Sequence, residues 1–320
     1  MIVKKRTIPL KILILEACLR RLPKNHLKRQ LLLEELSRRK AGFKGEQSID
    51  FYLSSLNEKN YMIFHDLNLP DGQYNCQIDT FLLSSKFSLT CETKNMAGKL
   101  IFDSDNNQLI QINDGKEKGY MYPIFQAERH QAYIKKLIPT SPVEYVIPIT
   151  NQHSILSFIG KNSNQIKQRV FKSDSFLQKI NKLEKIYVEE ILSSKELRKI
   201  CRTLIKLNTP PTTQIYQTYG IDKNEIISGI HCPFCFYLPL TREKRSWYCP
   251  SCKSFNKKAH VNSLQDYFLL FDLQITNEQF RNFAHIQSPD TATRLLRSSN
   301  LNSSGSNKGT IYFPTTFPFC

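Results

Sequence analysis

Asp79, Glu92 and Lys94 are the residues whose types and spacing point most directly to chemistry. Thr80-Phe81-Leu82-Leu83 and Phe87-Ser88-Leu89-Thr90 have the apolar, β-branched and aromatic content of buried strands, and Ser84-Ser85-Lys86 between them is turn chemistry. This predicts a hairpin with Gln77-Ile78-Asp79 at one end and Cys91-Glu92-Thr93-Lys94-Asn95 at the other. Residues i and i+2 of a strand share a face, so Glu92 and Lys94 point the same way, and Asp79 can close on them across the ladder. Two carboxylates beside an ammonium can hold a divalent ion next to a reacting phosphate, which metal-assisted phosphodiester hydrolysis requires.

A second chemistry lies in the cysteines. Of nine, four form Cys232-Pro233-Phe234-Cys235 and Cys249-Pro250-Ser251-Cys252, with thirteen residues between the pairs. Two such knuckles offer four thiolates to one tetrahedral zinc ion, a closed and therefore structural site. The gap holds a hairpin whose tip is Arg242-Glu243-Lys244-Arg245, and the segment resembles a zinc ribbon. A redox-active dithiol is the alternative reading. Cys18, Cys76, Cys91, Cys201 and Cys320 have no ligand spacing, and the odd count argues against a disulfide framework.

Gly45-Glu46, Gln77-Ile78-Asp79, Glu92-Thr93-Lys94-Asn95 with Gly98, and Pro123-Ile124-Phe125-Gln126 stand in the order that resembles the nuclease-related domain, NERD, of the restriction-endonuclease-like superfamily with a PD-(D/E)XK site. The likeness covers residues 42–150. Ile78-Asp79 replaces the superfamily's Pro-Asp, a departure that NERD members share. The resemblance implies a metal-dependent nuclease in which Asp79, Glu92 and the Thr93 carbonyl ligate Mg²⁺ or Mn²⁺. By the same resemblance Lys94 orients the attacking water or offsets transition-state charge, Glu46 completes the metal shell directly or through water, and Gln126 supports the site.

These residues must be positioned by surrounding elements, and 320 residues exceed what one compact core needs. The expected fold is α/β, a restriction-endonuclease-like mixed sheet flanked by helices, with a helical linker, a small zinc ribbon and a helical C-terminal unit. The expected divisions are a basic helical extension (1–41), the nuclease domain (42–160), a helical segment and linker (161–228), the ribbon (229–260) and the tail (261–320). Two basic helices, 10–22 and 25–40, precede a break at Gly42-Phe43-Lys44-Gly45. The stripe Leu27, Leu31, Leu32 and Leu36 reads as packed on the nuclease domain, while Arg20, Arg21, Lys24, Lys28, Arg29, Arg38, Arg39 and Lys40 could instead track phosphates. A further helix carries Glu46, and residues 123–138 form a helix with Gln126, His130 and Tyr133 on one face. Asp103 to Gly119 is polar and reads as a surface excursion. Ser193-Ser194-Lys195-Glu196 caps a helix ending at Leu207, and Thr209-Pro210-Pro211-Thr212-Thr213 is a stiff linker.

The tail predicts helices at 262–271, 276–285 and 289–299 and a strand or wing over 305–313. This is either a winged helix-turn-helix, with Thr291, Thr293, Arg294 and Arg297 on its recognition helix, or a plain helical cap. The balance of 45 Lys and Arg against 28 Asp and Glu, a net charge of +17, calls for a polyanionic partner. Nucleic acid is expected, with DNA favoured, and the expected contact residues are Arg242, Lys244, Arg245, Arg294 and Arg297. Lys11 and Glu16 interrupt the apolar run 8–19 and no stretch spans a bilayer, so a cytoplasmic protein without a membrane partner is expected. Two competing classes are a nucleic-acid-binding protein that keeps a nuclease fold without turnover and a zinc-ribbon transcription regulator.

Overall fold

The computed structural model describes residues 1–72, 74–209 and 215–316. The chain opens with β1 (Ile2–Lys4), α1 (Leu10–Arg21) and α2 (Arg29–Leu53), then β2 (Met62–Asp71), β3 (Tyr74–Leu83), β4 (Ser88–Cys91), β5 (Lys99–Asp103), β6 (Gln108–Asn113) and β7 (Lys116–Met121). Next come α3 (Pro123–Leu137), β8 (Val143–Ile149), β9 (Ile155–Ile159), α4 (Ser163–Arg169), β10 (Val170–Lys172), α5 (Phe176–Ile186) and α6 (Ser194–Leu207). The remainder holds α7 (Ile215–Tyr219), β11 (Thr241–Glu243), β12 (Ser246–Tyr248), β13 (Phe255–Asn256), α8 (Ala259–Leu270), β14 (Ile275–Thr276), α9 (Asn277–Ala284), α10 (Pro289–Arg297), β15 (Leu301–Ser304) and β16 (Ile311–Pro314). Two compact units result, Met1–Thr7 with Lys40–Pro211, and Ile8–Arg39 with Thr212–Cys320. Most of the expected linker, and Cys320, lie outside the described residues.

The first unit is built on a mixed sheet of order β1-β2-β3-β4-β8-β10. The expected hairpin is present: β3 and β4 pair antiparallel from Leu83↔Ser88 to Thr80↔Cys91, and Ser84 closes the turn by accepting and donating bonds with Phe87. Alternate residues of these strands enter different cores. Phe64, Phe81 and Leu83 pack with α3 and α6 residues Tyr133, Ile134 and Leu204, whereas Ile63, Leu82 and Leu89 pack with Ile49 and Leu53 of α2 and Phe176 and Ile180 of α5. A sheet covered on both faces explains why its strands read as continuous apolar runs, each large side chain contributing about 1.5–3 kcal/mol on burial. At Ser193 the expected capping box forms, with reciprocal bonds between Ser193 and Glu196.

Two expectations needed correction. Asp103 to Gly119 is no irregular excursion but supplies β6 and β7 of a second sheet, order β7-β6-β5-β9. Lys116-Glu117-Lys118-Gly119 is exposed along its whole length, so the ladder has no apolar alternation to reveal it. Nor do Gly42 and Gly45 break the chain: α2 is a continuous helix of 25 residues through both, and the two compact units divide within it between Arg39 and Lys40. Each helical glycine costs about 1 kcal/mol relative to alanine. At Gly45 the reason is close approach, because a Cβ there would stand 2.5 Å from Asn95 Cβ and 2.8 Å from Thr150 Oγ1.

In the second unit Leu32 and Leu36 pack with Leu15, Leu19 and the C-terminal residues Ile221, Ile226 and Leu270, while Leu27 and Leu31 are exposed. Half of the leucine stripe, Leu32 and Leu36, thus packs within this unit rather than on the nuclease sheet. Arg21, fully buried, pairs with Asp266 of α8 at 2.9 Å, and Arg20 joins the same carboxylate at 2.8 Å. These arginines are structural, tied to the C-terminal half. One core runs from the ribbon (Leu240, Trp247) through α8 (Leu264, Phe268) to α10 (Leu295, Leu296) and Tyr312 of β16. Among the described residues no helix is long and apolar enough to cross a membrane.

Candidate active site and four-cysteine centre

The β3–β4 ladder ends at Thr80↔Cys91, one residue short of Asp79 and Glu92. Beyond it the β4 backbone follows only β8: Glu92 N–H donates to the Val146 carbonyl and Lys94 N–H to the Pro148 carbonyl, both at 3.0 Å. The strands part where the acids stand. Thr93 N–H crosses the gap to Asp79 Oδ2 at 2.8 Å. Lys94 Nζ donates to Glu92 Oε1 at 2.7 Å and to Gln126 Oε1, on the first turns of α3, at 3.1 Å. Glu46 arrives on α2, which Gly45 allows to lie against Asn95, and Asn95 Nδ2 donates to the Ala41 carbonyl at 2.7 Å.

Electrostatics couple these groups. Burial, then the Glu92 and Glu46 charges, push Asp79 well above the usual carboxylate range. Glu46 is raised to about 7 by burial and Asp66, with Arg6 opposing, and Glu92 is raised by burial against the pull of Lys94. Burial works against the Lys94 charge but the Glu92 carboxylate outweighs it, so Lys94 stays protonated. Glu92 Oε2 is buried without a hydrogen-bond partner, with His130 Nδ1 at 3.5 Å. Burial holds His130 down to about 4, so that imidazole is neutral and does not balance the carboxylate. Buried carboxylates of which Glu92 raises both Asp79 and Glu46, with an orphaned buried oxygen on Glu92, fit a cation. Their oxygens are spread more widely than the four thiol sulfurs: among the described residues, the four cysteines are the group with ligand atoms all within 4.8 Å.

Arg6 is a member of the site that its sequence context conceals. In Lys4-Lys5-Arg6 it reads as part of a charge run, yet its side chain is 5 % exposed and binds Glu46 at 3.1 Å, Asp50 at 3.1 Å and Asp66 at 3.2 Å. It also donates to Thr80 Oγ1 at 2.9 Å and the Asp79 carbonyl at 3.4 Å. Burial would lower its pKa, but Asp50, Asp66 and Glu46 raise it. Asp66 itself has φ +53°, a left-handed conformation that interrupts the β2–β3 ladder beside Asp79. The only local signal was an aspartate inside an apolar strand.

Residues 41–159 match the nuclease-related domain family, NERD. The match falls within the first unit, whose α/β sheet with flanking helices is consistent with a nuclease-like fold. No curated protein and no solved structure matches the chain.

The ribbon cysteines meet in the second unit. Cys232 Sγ lies 3.6 Å from Cys252 Sγ, and Cys235 Sγ 3.5 Å from Cys249 Sγ. Phe234 N–H points to Cys232 Sγ and Cys252 N–H to Cys249 Sγ, at 3.4 and 3.5 Å, which favours thiolates. The set of four thiols suits a tetrahedral metal. The intervening hairpin is β11–β12, Thr241↔Tyr248 to Glu243↔Ser246. Lys244 and Arg245 are exposed at its tip, whereas Arg242 is half-buried with its guanidinium 4.9 Å from the Trp247 ring centre. Arg294 and Arg297 are exposed on α10, and with Asp290, Thr293 and Ser298 they line a depression of about 450 Å³.

Proposed function

We propose that the first unit is a metal-dependent nuclease. The observation that supports this is the Glu92–Lys94–Gln126 hydrogen-bond chain, with a buried Glu92 oxygen that has no partner and with Asp79 and Glu46 close enough for the Glu92 and Glu46 charges to raise Asp79. Asp79, Glu92 and the Thr93 carbonyl would hold Mg²⁺ or Mn²⁺, with Glu46 directly or through water, and the ion supplies charge neutralisation at the phosphate and activation of water. Lys94 keeps its proton, and its two acceptors fix Nζ as a donor for charge developing on the phosphate. Gln126 orients Lys94 and also lowers Glu92. Arg6 holds Glu46 toward the Asp79 strand.

In the second unit we infer that the four cysteines bind a structural zinc ion and that the tail is a winged helix-turn-helix. The support is its order: α8, β14, α9, a turn through His285 at φ +56°, α10 capped by Ser288, then the β15–β16 hairpin in a sheet of order β14-β16-β15. The exposed face of α10 presents Arg294 and Arg297, suited to a duplex backbone, and DNA is the substrate this arrangement favours. Thiolates at one site suit a reducing compartment such as the cytoplasm.

Lys94→Ala tests the nuclease reading. In single-turnover assays at saturating protein, with Mg²⁺ or Mn²⁺ present, the variant is expected to bind nucleic acid as the wild type does and to lose at least about a hundredfold in cleavage. Wild-type cleavage by Lys94→Ala would show that this hairpin does not carry the reaction, and absence of cleavage by the wild type under the same conditions would leave the non-catalytic nucleic-acid-binding alternative.

A further inference from the structure

The ribbon sheet has two unlike faces. Arg242 and Trp247 are directly paired and point inward, and Trp247, 1 % exposed, belongs to the core shared with α8 and α10. On the outer face Tyr248 pairs with Phe255 across β12 and β13, ring centres 4.9 Å apart and planes at 39°. Phe255 is 58 % exposed and has no part in that core. The first knuckle adds Phe234, 64 % exposed. Open aromatic rings on so small a module leave apolar surface that the fold itself does not use.

Charge indicates what covers them. Between residues 241 and 258 stand Arg242, Lys244, Arg245, Lys253, Lys257 and Lys258 against Glu243 alone. Lys244, Arg245, Lys253, Lys257 and Lys258 are exposed. The ligand must therefore be anionic and must present flat apolar rings. A nucleic-acid strand with unpaired bases meets both conditions, because stacking needs a free π-face and the phosphates need cations. A duplex meets only the second, since its base faces are stacked on one another.

We propose that the outer face of the ribbon sheet, Tyr248 with Phe255, is a stacking platform for unpaired bases, flanked by Lys253 and Lys257 on the phosphates. The substrate class is then nucleic acid with a single-stranded stretch, and where that stretch adjoins a duplex, α10 can take the duplex. This rests on the nucleic-acid reading above and adds the strand state to it.

The test is fluorescence anisotropy of the full chain with a labelled oligothymidylate of about 15 nucleotides, within the range of sizes that single-strand modules cover, and with a blunt duplex, each over a salt series. Phe255→Ala is expected to weaken oligothymidylate binding about tenfold, the equivalent of about 1.4 kcal/mol, while duplex affinity and both salt slopes stay unchanged. Phe255→Tyr should bind as wild type. Phe255→Leu, which keeps apolar bulk without the ring, should behave as the alanine variant and guards against misfolding, with metal content and thermal unfolding as checks. Lys253→Gln with Lys257→Gln should instead reduce the salt slope for the single strand. Unchanged oligothymidylate binding by both Phe255→Ala and Tyr248→Ala overturns the platform and leaves the nuclease reading standing, as does equal weakening on both polymers. Failure of the wild type to bind either polymer would remove both.

Discussion

Gly42 and Gly45 sit three residues apart in α2 and should respond oppositely to alanine. At Gly42 an added methyl meets nothing within 4 Å, so Gly42→Ala gains helix propensity of about 1 kcal/mol and leaves the site untouched. At Gly45 the new Cβ stands 2.5 Å from Asn95 Cβ. Apolar carbons rest at about 3.5–4.0 Å, so helix and strand must separate by roughly 1.0–1.5 Å. Asn95 directly follows Lys94 and Glu46 directly follows Gly45, so that displacement falls between two members of the site. Overpacking costs about 1–3 kcal/mol against the propensity gain, leaving Gly45→Ala about 0–2 kcal/mol less stable than wild type. Misplacement by about 1 Å costs on the order of a hundredfold in rate. Chemical denaturation, Mn²⁺ titration and single-turnover cleavage should therefore show Gly42→Ala stabilised and fully active, and Gly45→Ala folded but about a hundredfold slower with weakened Mn²⁺ binding. A Gly45→Ala protein that cleaves and binds Mn²⁺ like the wild type would refute the claim that this close approach positions Glu46.

Asp79→Asn relieves repulsion by Glu92 and Glu46, so it should raise the melting temperature in chelator and abolish both cleavage and the stabilisation given by Mg²⁺, as thermal melts with and without Mg²⁺ would show. Glu46, raised to about 7 in the fold against an ordinary value near 4.5, binds more protons folded than unfolded between those values. Its contribution to stability is therefore present below pH 4.5 and lost as pH rises through 7; metal-free denaturation curves between pH 5 and 8 should fall with a slope that Glu46→Gln flattens. Stripping the proposed metal from the four cysteines, by chelation or Cys232→Ser, should loosen α8 to α10 as well as the ribbon, because Trp247 and Leu240 share a core with α8 and α10. Hydrogen exchange should rise in 259–297 while β3 and β4 stay protected, and an effect confined to 232–256 would contradict the shared core.

Much of the first unit was legible from local pattern. Apolar runs bounded by Ser84-Ser85-Lys86 specify the β3–β4 hairpin, and the spacing of Glu92 and Lys94 puts both on one side of it, since strand periodicity is a short-range property. The paired Cys-x-x-Cys spacing likewise foretold the four-sulfur cluster, and Ser193 with Glu196 foretold a helix start. Tertiary structure alone decided the rest. Arg6 became the counter-ion of Glu46, Asp50 and Asp66 because parallel pairing of β1 with β2 carries the N-terminal segment alongside that strand, a contact across some sixty residues that no local window contains. Gly45 remained inside a helix because Asn95 and Thr150 leave no room for a side chain. Leu15, Leu19, Leu32 and Leu36, with Arg20 and Arg21, joined the C-terminal half because Asp266 and Leu270 lie there, and burial of a charged side chain is settled by the partner that meets it rather than by its own neighbours in sequence.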